Sequence, residues 1–388
     1  MITALTVLRC REQEQQHLNY EYKNYLVIYD LLSPKGQIDD FAALVQEMAE
    51  LACSWEAIVY LKPEQLETLK YKLNFSKPAE IFSCIHQLIG TEQADEIYLC
   101  RNWTTGDELL TNSYLEADRI CYGDGLGVYL PESYFLNRLA AYIPQAEQSH
   151  WHRLLRQWFK NSKESLKAAL GLKTILKTIP FDRGYFFLPN ALGEGPSMPA
   201  TTIPPEIALE VMQRFKNLLE PALVVRLQAL TANRPVMILL TANHAEQERT
   251  TVENEILAYK AFLQTQNPAP GTVLLIKPHP RDAGAKIQQL KAELSDLFDD
   301  IYILTEASLF FIPFEIFLIN TFVDQELAVD SNVKIITFSS ACLSLELFFK
   351  AKPVVGFGSA IVQQYFYEHC VSSRVQHEAD LLSALAKI

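Results

Sequence analysis

Short apolar runs rich in β-branched and aromatic residues alternate with longer amphipathic segments along the whole chain. This alternation is typical of βα units that build a parallel sheet. Two amphipathic segments of the first half, residues 39–53 and 80–88, predict helices between strands. The predicted strands are residues 25–32, 56–61, 96–101 and 118–123 in the first half, and 236–241, 273–279, 301–304, 333–338 and 353–358 in the second. The pattern therefore predicts an α/β fold with the same architecture in both halves.

A proline-rich stretch separates the two halves. Residues 188–205 contain five prolines and two glycines, too many for a regular helix or strand. We therefore predict two Rossmann-like αβα domains that face a cleft, over residues 1–190 and 231–388. Residues 191–230 are predicted to form the linker region and a crossing helix, and the last helix is a candidate to pack back on the first domain. Because such paired domains serve several enzyme classes, including dehydrogenases and epimerases, this architecture alone does not define a function.

The charge of the chain argues against a nucleic-acid partner. The sequence has 34 basic and 46 acidic residues, a formal net charge of −12, which is the wrong sign for a surface that coats phosphates. No apolar run reaches the length of about 18 residues that spans a bilayer. The first residues, MITALTVLRCREQE, lack the basic start of a signal peptide. We therefore expect a cytoplasmic protein.

The end of the predicted strand 118–123 carries a candidate catalytic base. Asp124 lies between Gly123 and Gly125, and residues at the carboxyl ends of parallel strands line the crevice where α/β proteins bind ligands. Flanking glycines leave a carboxylate uncovered, which suits a base that must reach a substrate hydroxyl. The alternative is a tight turn with a solvated aspartate.

The end of the predicted strand 273–279 carries a candidate phosphate ligand. His279 lies between Pro278 and Pro280, with Lys277 and Arg281 nearby. An imidazole can donate a hydrogen bond to a phosphate and protonate a departing one near neutral pH. A lone histidine is more often structural, but a structural histidine needs neither paired prolines nor two adjacent cations, so we favour a functional one.

Two further features of the second half suit a nucleotide. Ser339 and Ser340 follow a predicted strand and precede an apolar helix, where hydroxyls and free backbone N–H groups form a phosphate site. The alternative for the serines is ordinary helix capping. Glu315 is a lone carboxylate in an apolar helix start, and a ribose diol would supply its hydrogen-bond donors. Its alternative is pairing with a local Arg, Lys or backbone N–H.

The order of these features resembles that of the bacterial sialyltransferases of GT-B fold and the related polysialyltransferase and Kdo-transferase families. Those families share a D/E-D-G motif with the base, an H-P motif on the leaving phosphate, a carboxylate on the CMP ribose and a Ser-Ser/Thr pair on the phosphate. The matching residues here are Gly123-Asp124-Gly125, His279-Pro280, Glu315 and Ser339-Ser340. The residue before Asp124 is glycine where that motif is usually acidic, so a helper role for a second carboxylate is not predicted.

The resemblance implies a function and further site residues. It implies a GT-B glycosyltransferase that moves sialic acid from CMP-sialic acid to a glycan hydroxyl with inversion, with Asp124 and His279 as catalytic residues. The implied donor-binding residues are Lys277, Pro278, Pro280, Glu315, Ser339 and Ser340, with Thr241 and Asn243 near the donor phosphate or sugar. The candidate acceptor-binding residues are Arg101, Asn102, Trp103, Gly123 and Gly125.

Other functions stay open at this point. A Kdo transferase would use a donor of the same kind, CMP-Kdo. A CDP-alcohol phosphotransferase could use the same histidine and phosphate site, and a nucleotide-binding scaffold without activity is the non-enzymatic alternative. No D-x-D sequence occurs in the chain, so we expect no metal. The CMP-activated sugar that the resemblance implies is a donor substrate, so we expect no cofactor either.

One segment reverses the acidic charge of the chain. Residues 151–177 contain seven Lys or Arg residues and one acid, Glu164, interleaved with Trp158 and Phe159. Such a basic amphipathic stretch from Arg153 to Lys177 can lie on an anionic membrane surface. A solvated helix face is the more common meaning of a charge run.

Overall fold

The computed structural model describes residues 2–15, 22–31, 37–100, 104–123, 174–191, 196, 198–306 and 310–388. The helices and strands of the first half within these ranges are α1 (Ile2–Gln15), β1 (Tyr25–Ile28), α2 (Ile38–Ala52), β2 (Ala57–Tyr60), α3 (Pro63–Lys72), α4 (Pro78–Ile89), β3 (Glu96–Leu99), α5 (Thr105–Ser113), β4 (Asp118–Gly123), β5 (Arg183–Phe186) and β6 (Ala200–Thr202).

The second half alternates strands and helices more regularly. Its elements are α6 (Pro205–Arg214), a 3₁₀ turn (Lys216–Leu218), α7 (Pro221–Thr231), β7 (Val236–Leu240), α8 (Val252–Thr265), β8 (Val273–Lys277), α9 (Gly284–Glu293), β9 (Asp300–Ile303), α10 (Phe314–Thr321), β10 (Val333–Thr337), α11 (Ala341–Phe349), β11 (Val354–Val355), α12 (Ser359–Tyr365) and α13 (Glu368–Leu385).

Among the described residues, every strand pair in the three sheets is parallel. In the first half, β1 pairs with β2, and β3, β4, β5 and β6 form a four-stranded sheet in that order. The second half forms the five-stranded second sheet, in the order β11-β10-β7-β8-β9. That order winds the chain outward from β7 in both directions, as in a Rossmann-type sheet, and places the switch point between β7 and β10.

The second sheet is buried on both faces, as its near-continuous apolar strands require. All five residues of β7 and all five of β8 are buried. Val236, Ile238 and Leu240 pack on one face with side chains from α6, α7, α10 and α11, while Met237 and Leu239 pack on the other with α8, α9 and α12. Each residue step along β7 therefore alternates between two separate cores.

The last helix contacts the first half of the chain. Leu381 and Ala384 of α13 lie in one apolar cluster with Cys121 of β4 and Phe186 of β5. The Nζ atom of Lys387 also donates to the carbonyl oxygen of Ala191 at 2.8 Å. Burial of these side chains links the last helix to β4 and β5, the two inner strands of the four-stranded sheet.

The predicted α/β fold class with parallel sheets is confirmed, and each predicted strand overlaps an observed one. Two strands of the first half were not predicted. The expectation of no regular structure over residues 188–205 is wrong at β6, because Gly184 and Phe186 of β5 offer a strand edge that β6 pairs with. The strand predicted over 353–358 is shorter, since Gly356 and Gly358 have φ of 82° and 83° and leave the extended region.

Candidate active site

Several predicted residues follow the carboxyl ends of neighbouring strands in the second sheet. Leu240 of β7 lies in register with Thr337 of β10 and with Lys277 of β8. The residues just after these strands therefore lie along one edge of the sheet, around its switch point. They include Thr241, Asn243, Pro278, His279, Ser339 and Ser340. Ligands bind at such a switch point in doubly wound sheets.

The backbone and the ring of His279 are both held in place. Its N–H donates to the Oγ1 of Thr241 at 2.8 Å and to the Oδ2 of Asp282 at 2.9 Å. The N–H of Arg281 donates to the Nδ1 of His279 at 3.1 Å. Because Nδ1 accepts this hydrogen bond, the proton of the neutral imidazole resides on Nε2. The half-buried ring therefore presents Nε2–H as a donor.

Burial keeps the imidazole of His279 neutral near pH 7. Desolvation, followed by the positive charges of Arg281 and Lys286, lowers its pKa to about 4. A neutral ring offers a phosphate a hydrogen bond but no formal charge. A bound anion would raise this pKa, because it favours the protonated ring.

A buried ion cluster supports the turn that carries His279. The Nζ of Lys286 lies 2.8 Å from Asp282, 2.9 Å from Glu255 and 2.9 Å from Glu246, and it also donates to the carbonyl oxygen of Ala242 at 3.2 Å. Burial raises the pKa of both Glu255 and Asp282, while Lys286 opposes the rise. Asp282 also accepts a hydrogen bond from Thr241. One cation thus joins the segments after β7 and β8.

The serine pair begins α11 without capping it fully. Ser340 is the N-cap residue, but its hydroxyl makes no capping hydrogen bond. The N–H of Ala341 reaches the Oγ of Ser339 only at 3.4 Å, and that Oγ lies 3.3 Å from the Oγ1 of Thr337. The N–H groups of Cys342 and Leu343 donate to the carbonyl oxygens of Ser339 and Ser340 at 3.3 and 3.0 Å. The two serine hydroxyls, at the positive end of α11, are therefore the groups placed to contact an anion.

Asn243 and His244, just after β7, carry buried polar atoms without partners. Asn243 is 5% exposed, and its Nδ2 has no hydrogen-bond acceptor among the described residues, although its Oδ1 accepts from Gln247 at 2.7 Å. His244 is 3% exposed with neither ring nitrogen bonded within the same ranges, and it packs edge-on against Phe366. Burial lowers the pKa of His244 well below its usual value. An unpaired buried donor is costly, so the Asn243 amide favours a polar ligand beside it.

Glu315 and Lys277 form a second group of predicted residues, and Glu315 contacts α11. The hydroxyl of Ser344 donates to Glu315 Oε1 at 2.7 Å. The Nζ of Lys277 donates to the carbonyl oxygen of Phe310 at 2.6 Å, and burial lowers its pKa to about 7 despite the opposing charge of Glu315. Glu315 is thus held by a hydroxyl of α11, a partner that the sequence did not suggest.

The predicted residues of the first half are only partly described. Gly123 is the buried last residue of β4, in register with Phe186 of β5. The predicted base and the other acceptor residues, which are Asp124, Gly125, Arg101, Asn102 and Trp103, lie outside the described residues. The basic stretch from Arg153 also lies outside them up to residue 173. Their roles remain predictions.

Sequence reasoning missed His244 and the carboxylates around Lys286. Asp282 and Lys286 have the i, i+4 spacing of a helical ion pair, which is a weak signal. Glu246 and Glu255 carry no comparable signal in the sequence.

Within the described ranges, no helix has the length and hydropathy needed to cross a bilayer.

Two solved structures resemble the chain over most of its length. One, titled an S. aureus MnaA-UDP co-structure, is 11% identical, with 94% of this chain and 91% of that chain covered and a TM-score of 0.41. The other, an α,α-trehalose-phosphate synthase (UDP-forming) from Burkholderia vietnamiensis, is 11% identical, with coverages of 98% and 72% and a TM-score of 0.27. Neither similarity is close enough to support a conclusion about this chain. A search of curated protein sequences gives no significant match.

A family model gives a clearer result. The model described as alpha-2,8-polysialyltransferase matches residues 13–332. The matched range contains Asp124, His279 and Glu315 and ends before Ser339. Because this match covers most of the chain, the protein belongs to the alpha-2,8-polysialyltransferase family and is a glycosyltransferase of the sialyltransferase type.

Proposed function

We propose that the protein transfers sialic acid from CMP-sialic acid to a hydroxyl of a glycan acceptor, with inversion at the anomeric carbon. The observation that carries this proposal is the fixed ring of His279. Its Nδ1 accepts the N–H of Arg281, so Nε2–H is left to donate at the switch point of the second sheet. A hydrogen-bond donor at this position, together with the start of α11, suits the single phosphate of a CMP-sugar.

The proposed reaction is one displacement. Asp124 takes the proton of the acceptor hydroxyl as its oxygen forms a bond to the anomeric carbon. The bond between that carbon and the phosphate oxygen breaks, and CMP leaves with the electron pair. His279 Nε2–H and the first turn of α11, with Ser339 and Ser340, stabilise the charge that develops on the phosphate. No step of this reaction draws on a metal or a cofactor.

Glu315 is proposed to bind the ribose of CMP. Its Oε1 already accepts from Ser344, and this contact orients the carboxylate at the start of α11. A ribose hydroxyl would donate to the other carboxylate oxygen. The same helix would then position the ribose through Glu315 and the phosphate through its N-terminus, which fixes the distance between the two parts of the donor.

A donor panel tests this function. The purified protein is incubated with a sialylated glycan and CMP-sialic acid, CMP-Kdo or CDP-glycerol, and the product is identified by mass spectrometry. We expect added sialic acid and free CMP. His279→Ala and Asp124→Asn should each reduce turnover by about 10²–10⁴-fold while CMP still binds to Asp124→Asn. Transfer from CMP-Kdo alone, transfer of a phosphate group, or full activity of both variants would overturn the proposal.

We also propose that the enzyme works at the cytoplasmic face of an anionic membrane. The basic segment from Arg153 to Lys177 supports this location, and so do the exposed aromatic side chains near its last residues. Thr174 is hydrogen-bonded to Leu73 and Ser76, next to Tyr71 and Phe75, both 67% exposed. Liposome flotation should show binding that increases with the anionic lipid fraction. Equal flotation with neutral liposomes would contradict this location.

A further inference from the structure

The proposed reaction creates a negative charge on the departing phosphate that neither His279 nor the start of α11 balances. A phosphate that leaves as part of CMP gains one negative charge. His279 is neutral, and the start of α11 offers hydroxyls and a partial charge of about half a unit. A full cation next to the phosphate would stabilise the transition state more than any of these.

The two lysines near His279 are already engaged. Lys286 lies within 2.9 Å of three carboxylates and is 2% exposed, so its charge is matched inside the protein. Lys277 donates to the carbonyl oxygen of Phe310 at 2.6 Å and is also buried. Neither ammonium can turn towards a phosphate without breaking these contacts.

Arg281 differs from both lysines. It is half-buried, two residues from His279, and its own N–H is bonded to the Nδ1 of that ring. Its guanidinium makes no ion pair with any carboxylate in the described parts of the chain, whereas buried Arg374 is paired with Glu378 at 2.8 Å. Its charge is also the largest electrostatic influence on the His279 imidazole after burial. The guanidinium is therefore a cation close to the ring and available to an anion.

We propose that Arg281 is a further catalytic residue, whose guanidinium binds the phosphate of CMP beside the Nε2–H of His279 and balances its charge as CMP leaves. This inference rests on the proposed function. Arginine suits the role because its planar donor pair binds two phosphate oxygens and stays protonated at any working pH. The turn from His279 to Asp282 is closed by the Asp282 N–H, which donates to the His279 carbonyl oxygen at 2.8 Å, so both donors are carried by one fixed turn.

The test compares CMP with CMP-sialic acid as ligands of the full chain by calorimetry, in wild type, Arg281→Gln and Arg281→Lys. A charge-assisted hydrogen bond contributes about 1.5–3 kcal/mol, so Arg281→Gln should weaken the binding of both ligands by about 10- to 150-fold. Arg281→Lys keeps the charge and should lose less. The matched control is Arg226→Gln, which removes one positive charge from an exposed ion pair with Glu306 and should leave both affinities unchanged.

Each outcome has a distinct meaning. If wild type binds no CMP, both the proposed function and the role of Arg281 are wrong. If wild type binds CMP and Arg281→Gln binds it equally well, the assignment of Arg281 is wrong while the function stands. Weaker binding of CMP-sialic acid with unchanged binding of CMP would place Arg281 on the sugar carboxylate and would also overturn the phosphate assignment. A loss in Arg281→Lys as large as in Arg281→Gln would contradict the role of charge.

Discussion

Replacing Lys286 with methionine tests how the buried cluster supports the site. Lys286 is 2% exposed, and it is the cation among Asp282, Glu255 and Glu246. Methionine has a similar volume but leaves buried carboxylates without a counter-charge. Removing one partner of a buried ion pair costs about 3–5 kcal/mol. In a domain of about 150–250 residues, each kcal/mol of lost stability lowers the melting temperature by about 2–4 °C. We therefore expect the melting temperature to decrease by about 6–20 °C.

The pH dependence of this decrease gives a sharper test. Without Lys286, the pKa values of Asp282 and Glu255 in the folded state should rise further above their unfolded values. A carboxyl group with a raised folded pKa destabilises the fold above its unfolded pKa, and the loss becomes smaller as pH falls and the group binds a proton. The difference between wild type and Lys286→Met should therefore be smaller at pH 5 than at pH 7.5.

Scanning calorimetry at both pH values measures this difference, with Lys260→Met as the control. Lys260 also pairs with two carboxylates, Glu293 and Asp296, but on the surface, so its loss should change the melting temperature little at either pH. A decrease of less than about 3 °C at pH 7.5 for Lys286→Met would refute the reasoning. A difference that grows towards pH 5 would refute it as well.

Three further predictions concern the same edge of the sheet. The folded-state pKa values of His244 and His279 are lowered, so the unfolded chain binds more protons than the folded one in mild acid. Stability should therefore fall as pH drops below about 6.5. In thermal melts, His244→Phe should make this fall smaller. An unchanged pH profile would contradict this. Gly356→Ala should destabilise the fold, since φ is 82° and the added Cβ would lie 2.6 Å from the Glu378 carboxyl carbon; a melting temperature equal to wild type would contradict it. Asn243→Leu should weaken CMP binding in calorimetry by roughly 10-fold, because the amide that would bind the ligand is lost. Stability should stay the same or increase, because a buried donor without a partner is removed. Unchanged affinity would exclude Asn243 from the donor site.

The regular part of the fold could be predicted because its physical signal is local. The apolar runs at β7 and β8 are buried at every position, and such runs read as strands of a parallel sheet without any other information. β6 could not be predicted, since its residues 200–202 are exposed and lie among prolines. It forms only because the edge of β5 offers backbone partners, and pairing with a distant segment leaves no trace in local sequence.

The candidate site divides in the same way. His279 and the serine pair stand at strand ends, so their position along one edge follows from the alternation of strands and helices. Their partners do not follow from it. Ser344 is 29 residues from Glu315, to which it donates a hydrogen bond, and Glu255 is 31 residues from Lys286, with which it forms an ion pair. Only the packing of their helices brings these groups together.

The last helix shows why distant packing matters for the site. Arg374 of α13 donates to the carbonyl oxygen of Phe338, the residue before the serine pair, and to Glu378. Glu378 in turn accepts the N–H groups of Phe357 and Gly358, after β11. This buried pair therefore holds the ends of two neighbouring strands from behind the site. Because the same helix packs on Cys121 of β4 through Leu381 and Ala384, one helix connects the proposed phosphate site to the strand that precedes Asp124. The proposed mechanism needs a fixed spacing between a base in one half and a leaving-group site in the other, and α13 is placed to set that spacing.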